Sequence, residues 1–193
     1  MTREIDGVVL AGGRSRRMGR DKALLPFGGY STLAEYQYRR LLPLFPRVWL
    51  SAKENKFPFE APLLPDRSAT YSPLVALASI LEHIEGEAAF LLGVDMPFVP
   101  PRLVSAMLRG YEAERPSILA ARGPRGPEPL CALYSRALLP EIHRRIARDE
   151  HRLQALLESQ NARLFPWDDP EAFRNLNRPE EYREAKSGWE PES

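Results

Sequence analysis

Short apolar runs along the chain alternate with segments whose apolar residues recur every three or four positions, which predicts strands and helices in turn. Ile5 to Leu10 is apolar and ends in Gly12-Gly13, the pattern of a buried parallel strand followed by a tight glycine turn. Thr32 to Leu44 carries Leu33, Tyr36, Leu41 and Leu44 near helical spacing, and Val48-Trp49-Leu50 follows as a second strand. Leu63-Leu64, before Pro65-Asp66, predicts a short third strand. Pro73 to Ile84 predicts a helix with proline in its first turn, Ser72 as N-cap, and a face of Leu74, Leu77, Ile80, Leu81 and Ile84. Ala88 to Val94, between Gly86 and Asp95-Met96-Pro97, is the most hydrophobic run and is expected at the centre of the sheet.

A helix from about Pro101 to Ala113 leads to Ile118–Ala121 and, across a glycine- and proline-rich turn, to Pro129–Tyr134, two strands expected to pair antiparallel. Helical patterns at Leu138–Ile146 and Leu153–Leu157, a strand at Arg163–Phe165 and a last helix from Pro179 complete the chain. The alternation predicts an α/β fold: a Rossmann-like, mostly parallel twisted sheet with helices on both faces and a small antiparallel extension. A length of 193 residues fits one domain, read as 1–187, with 188–193 as a flexible tail. In such sheets ligands sit outside the carboxyl ends of the parallel strands. Candidate chemistry therefore falls in the loop after Leu10, at Asp66, and at Asp95.

Composition narrows the class. With 27 basic and 26 acidic side chains, the formal charge of +1 gives no global pull toward nucleic acid or anionic lipid, and neither is expected as a partner. Cys131 is the only cysteine, so there is no internal disulfide and no multi-cysteine metal site; a cytoplasmic setting is expected. No apolar run approaches the roughly 20 residues that cross a bilayer, and the first six residues lack the apolar core of a secretory signal. His83, His143 and His151 show no metal-binding spacing and read as structural or surface residues.

Against this balance one segment stands apart. Leu10-Ala11-Gly12-Gly13-Arg14-Ser15-Arg16-Arg17-Met18-Gly19-Arg20-Asp21-Lys22 places five cations within nine residues. Glycines let backbone amides approach an anion, and clustered cations neutralise charge on phosphoryl oxygens. The spacing fits neither the Walker P-loop nor the G-x-G-x-x-G dinucleotide fingerprint. On the residues alone, the segment is either a triphosphate cradle or a solvated basic turn. Asp95 is similarly open: a carboxylate closing an apolar strand is costly unless paired or bound to a cation such as magnesium, or it is a turn or helix-cap aspartate.

The full pattern Leu-Ala-Gly-Gly-x-Ser-x-Arg-Met-Gly-x-Asp-Lys closely resembles the signature loop of molybdenum cofactor guanylyltransferases of the MobA type. Related loops of cytidylyltransferases and sugar nucleotidyltransferases usually begin Leu-Ala-Ala-Gly and commonly carry proline before the lysine, so Gly12 and Asp21 favour the guanylyl branch. Gly93-Val94-Asp95-Met96-Pro97-Phe98 resembles the family's metal-binding segment, Glu128–Tyr134 its middle strand, and Asn175-Leu176-Asn177-Arg178-Pro179-Glu180-Glu181 its closing motif. Two departures concern base selectivity: Ser72-Pro73-Leu74-Val75-Ala76 stands where the family often has Gly-Pro-Leu-Ala-Gly, and Ser51 where an asparagine is common.

The resemblance implies a nucleotidyltransferase-type sheet and a magnesium-dependent transfer of GMP from GTP to the phosphate of molybdopterin. It implies that Leu10, Ala11, Gly12, Gly13, Lys22, Asp66 and Asp95 bind nucleotide, that Asp95 holds Mg2+, and that Asp95, Lys22 and Arg17 serve catalysis. Asn175 and Asn177 either line the acceptor pocket or cap the last helix. A cytidylyltransferase using CTP and a non-catalytic cofactor carrier are the alternative activities. Transient contact with cofactor-delivery proteins or apo-molybdoenzymes, and a monomer or weak homo-oligomer, complete the expectation.

Overall fold

The computed structural model of the chain describes residues 5–12, 21–65 and 72–187. Strands β1 (Ile5–Leu10), β2 (Val48–Ala52), β3 (Leu63–Pro65), β4 (Ala88–Gly93), β5 (Ile118–Gly123), β6 (Gly126–Ser135) and β7 (Arg163–Pro166) form one sheet in the order β3-β2-β1-β4-β6-β5-β7. β4 is thus central, as its unbroken apolar run requires, since a strand covered on both faces has no place for polar residues. β1 runs parallel to β2 and β4, β2 to β3, and β5 to β7, while β6 is antiparallel to both its neighbours. The antiparallel element is β6, inserted between β4 and β5. The turn between Gly123 and Gly126 reverses the chain, and the returning strand enters between β4 and β5. As a result the carboxyl ends of β1, β2, β3, β4, β5 and β7 all face one side.

Helices α1 (Leu33–Leu41), α2 (Pro73–His83), α3 (Pro101–Glu114), α4 (Leu139–Ala147), α5 (Leu153–Ser159) and α6 (Pro179–Ser187) cover the sheet. Alternate strand residues feed two cores: Val9, Phe90, Leu92 and Leu133 pack with α1 and α3, whereas Val8, Leu91, Ala132 and Tyr134 pack with α2, α4 and α5. Helix α1 begins where Thr32 accepts a hydrogen bond from Glu35 N (3.0 Å). It ends at Leu41, three residues short of the periodicity, because Pro43 brings no N–H and Leu44 N turns back to Leu41 O at 2.9 Å. Helix α2 starts at Pro73 as the sequence suggests, but Ser72 does not cap it with its side chain: the hydroxyl donates to His151 O at 3.3 Å. Helix α4 is preceded by a separate 3-10 turn at Arg136–Leu138, which shifts its start to Leu139. None of the described helices is long and apolar enough to cross a membrane.

Cys131 lies in β6 with no exposed surface, and burial pushes its thiol pKa well above the usual range, with the nearby Glu128 charge adding to the effect. The native protein at pH 8 is accordingly expected to resist thiol-reactive dyes, with labelling appearing only as denaturant unfolds it. Stoichiometric labelling of the folded protein within minutes would contradict that placement.

Candidate active site

Two chain segments separated by the sheet order meet at the carboxyl ends of β1 and β4. β1 continues past Leu10 through Ala11 N, which donates to Ser51 O at 2.9 Å, so the exit of the strand is held against β2. Among the described residues, an added Cβ at Gly12 would meet nothing closer than 3.6 Å. Packing against the described residues therefore does not demand glycine there. The chain is described again from Asp21, whose Oδ1 accepts from Ala23 N at 3.1 Å and starts the 3-10 turn Lys22–Leu24.

That turn carries Lys22 across to β4. Its Nζ donates to Asp95 Oδ2 at 3.0 Å and to Asn177 Oδ1 at 2.9 Å, with the lysine and aspartate side chains 17% and 20% exposed. Asp95 leaves β4 in a turn closed by Met96 N and Gly93 O at 3.1 Å, and it caps no helix, since α3 begins only at Pro101. Helix α1 fixes this turn from below: buried Gln37 donates to Met96 O at 2.9 Å, and Arg40 donates to Pro97 O at 2.7 Å and Val99 O at 2.8 Å. Leu176 N donates to the main-chain oxygen of Asp95 at 2.9 Å, bringing the segment before α6 to the same place.

A cavity of about 190 Å³ opens over these residues, lined by Leu10, Ala11, Gly12, Asp21, Lys22 and Asp95 among others. A larger and shallower groove, about 710 Å³, lies at the opposite end of the sheet between Arg47, Glu85, Glu87 and Arg136. Its arginine and glutamate already pair (Arg47 to Glu85, 3.3 Å), and it faces the amino ends of β1 and β4. The smaller cavity is the one at the carboxyl ends, where loop amides and strand-end carboxylates converge.

Of the residues singled out by sequence, Leu10, Ala11, Gly12, Lys22 and Asp95 come together on this cavity. Gly13, Arg17 and Asp66 lie outside the described residues. Ser51 is buried in β2 at 2% exposure and is not among the residues lining the cavity. Asn177 proves not to cap α6: Glu181 Oε2 accepts from Asn177 N (2.7 Å) and Arg178 N (2.9 Å), which leaves the asparagine side chain to hold Lys22. Asn175 Oδ1 is buried with no hydrogen-bond partner among the described residues. Lys56, absent from every motif, also reaches the cavity wall, donating to Ala11 O at 3.3 Å and pairing with Asp21.

The donor set suits a hard divalent ion better than zinc. No group of three or more histidine, cysteine, aspartate or glutamate residues gathers among the described residues. Asp95 offers one carboxylate already satisfied by a cation, the Lys22 ammonium, beside a space for phosphate oxygens. Magnesium takes one or two protein carboxylates with phosphate and water completing its shell. Asp21, by contrast, has both oxygens engaged, on Ala23 N and Lys56.

Residues 7–164 match the family described as the MobA-like NTP transferase domain. The chain belongs to the MobA-like nucleotidyltransferase family. It is 34% identical over 186 residues to a molybdenum cofactor guanylyltransferase of Campylobacter jejuni, covering 95% of this chain and 96% of the relative. A guanylyltransferase of the same name from Rhodobacter capsulatus is 33% identical, covering 94% and 95%. Among solved structures, molybdopterin-guanine dinucleotide biosynthesis protein A of Archaeoglobus fulgidus superposes with a TM-score of 0.77 at 22% identity, covering 95% of this chain and 97% of that one, which shows the shared fold. As a MobA-like protein the chain is a nucleotidyltransferase, a class that usually works with a divalent metal.

Proposed function

We propose that the chain transfers GMP from GTP to the terminal phosphate of molybdopterin, forming the guanine dinucleotide and releasing pyrophosphate, with Mg2+ as its cofactor. The observation that carries this reading is the meeting of Lys22 and Asp95, 73 residues apart in sequence, at 3.0 Å on the wall of the cavity over Gly12. The name carried by the 34% identical relative supports the choice of nucleotide and acceptor.

In the reaction an oxygen of the acceptor phosphate forms a bond to the α-phosphorus of GTP, and the bond from that phosphorus to the bridging β-oxygen breaks. The electron pair leaves with pyrophosphate. The acceptor is already ionised at neutral pH, so no strong general base is required, and catalysis consists of positioning and charge neutralisation. Gly12 and Gly13 let backbone amides approach the phosphates, Arg17 and Lys22 supply positive charge, and Asp95 would hold the metal. When bound, Mg2+ neutralises phosphate oxygens and orients them for displacement. Asp66 accepts hydrogen bonds from guanine or ribose. Asn177 holds the Lys22 ammonium in place through its side-chain oxygen.

Nucleotide preference tests the reading. With Mg2+ present, GTP is expected to raise the thermal midpoint far more than CTP or ATP, since a ligand at 100 times its Kd contributes about 2.7 kcal/mol. Molybdopterin added to the GTP complex should release pyrophosphate. A larger shift with CTP would assign the chain to cytidylyl transfer, and nucleotide binding without pyrophosphate release would make it a carrier.

A further inference from the structure

Lys56 follows β2 in a polar segment that no motif distinguishes, yet its ammonium reaches both ends of the glycine-rich loop. Nζ donates to Ala11 O at 3.3 Å, where the chain leaves β1, and pairs with Asp21 Oδ2, immediately before Lys22. The other oxygen of Asp21 accepts from Ala23 N at 3.1 Å. One carboxylate thus links Lys56 to the turn that aims Lys22 at Asp95. Exposed ion pairs contribute little, but this one differs: its side chains are 20% and 28% exposed, and the same ammonium is also bonded to a main-chain carbonyl. The ring of Phe57 stands 5.7 Å from Nζ and shields it further.

We propose that Lys56 is a positioning residue that staples together the two ends of segment 12–20, setting the affinity of the site for nucleotide through Asp21 and Lys22. The role rests on the assignment of that segment to the triphosphate. Between these two anchored ends the sequence carries Arg14, Arg16, Arg17 and Arg20, four like charges that an anionic triphosphate would neutralise. Holding Ala11 and Asp21 in place in advance, and Lys22 with them, lowers the cost of arranging these groups around a ligand. The same geometry gives Asp21 a physical purpose, since proline at that position could neither cap the turn with its side chain nor receive the ammonium.

Titration calorimetry with Mg2+ and GTP on the wild type, Lys56→Met, Lys56→Arg, Asp21→Asn and the Lys56→Met/Asp21→Asn double variant tests this. Lys56→Met is expected to weaken GTP binding about tenfold, Lys56→Arg to restore most of the loss, and the double variant to bind no more weakly than Asp21→Asn alone. In turnover, KM for GTP should rise while kcat and the KM of the acceptor stay within about twofold. Lys56→Met binding GTP as tightly as wild type, losses that multiply in the double variant, or a fall in kcat at unchanged KM would each overturn the role. Wild-type protein that fails to bind GTP would overturn the proposed function together with it.

Discussion

Replacing Asp95 by alanine is expected to lower pyrophosphate release by about 10³-fold or more while the protein stays folded. The side chain caps no helix and is 20% exposed, and the bond that Leu176 N makes to residue 95 goes to its main-chain oxygen, which alanine keeps. Lys22 loses one partner but retains Asn177. Asp95→Asn separates charge from shape: the amide oxygen can still accept from Lys22, yet it holds a divalent ion poorly, so turnover should fall nearly as far as in the alanine variant. Thermal midpoints close to wild type would accompany both losses. Turnover surviving in Asp95→Ala would remove this carboxylate from the site.

A second large effect is expected one turn earlier, at a residue with no functional group. A Cβ added at Gly93 would lie 2.9 Å from Asp95 Oδ1, and Leu130 Cβ at 3.3 Å closes the way out. The flexible end of the aspartate gives way first, so Gly93→Ala should displace the carboxylate while β4 keeps its pairing with β1 and β6. A displacement of about 1 Å at a reacting centre costs about 10²-fold in rate. Steady-state kinetics should therefore show kcat falling by that order, with circular dichroism unchanged. Wild-type kinetics in this variant would mean that the position of Asp95 is not set by its contact with residue 93.

The strands that build the site were readable because burial on both faces leaves a simple signature: Ile5–Leu10 and Ala88–Gly93 are nearly unbroken apolar runs, each ending in residues that can meet a ligand. Helix starts at Thr32, Pro73 and Pro101 were marked by capping or proline chemistry, whereas the end of α1 was overrun because Leu44 continues the apolar rhythm after the hydrogen-bond ladder has stopped. The place of β6 was not readable. A hairpin predicts that two strands pair, but not which third strand the second one meets. Within the site, Lys22 is marked by the long motif that follows β1 and Asp95 by the separate segment Gly93-Val94-Asp95-Met96-Pro97-Phe98. Asn177 was ambiguous because its cap role could be excluded only once Glu181 was seen to take it, a competition between two side chains that share a helix end. Ser72 stands at the N-cap position that the sequence marks, but its hydroxyl answers to His151, 79 residues away, and not to its own helix. Lys56 carried no signal at all, since a lone lysine in a polar loop acquires its partners only from tertiary structure.

Electron density for the complex with GTP and Mn2+ tests the central claim most directly, because the manganese can be located by its anomalous signal. The triphosphate should fill the space bounded by Gly12, Lys22 and Asp95, with the anomalous peak on the Asp95 carboxylate. Nucleotide bound elsewhere on the protein, with no metal at Asp95 and the Lys22 bridge undisturbed, would contradict it.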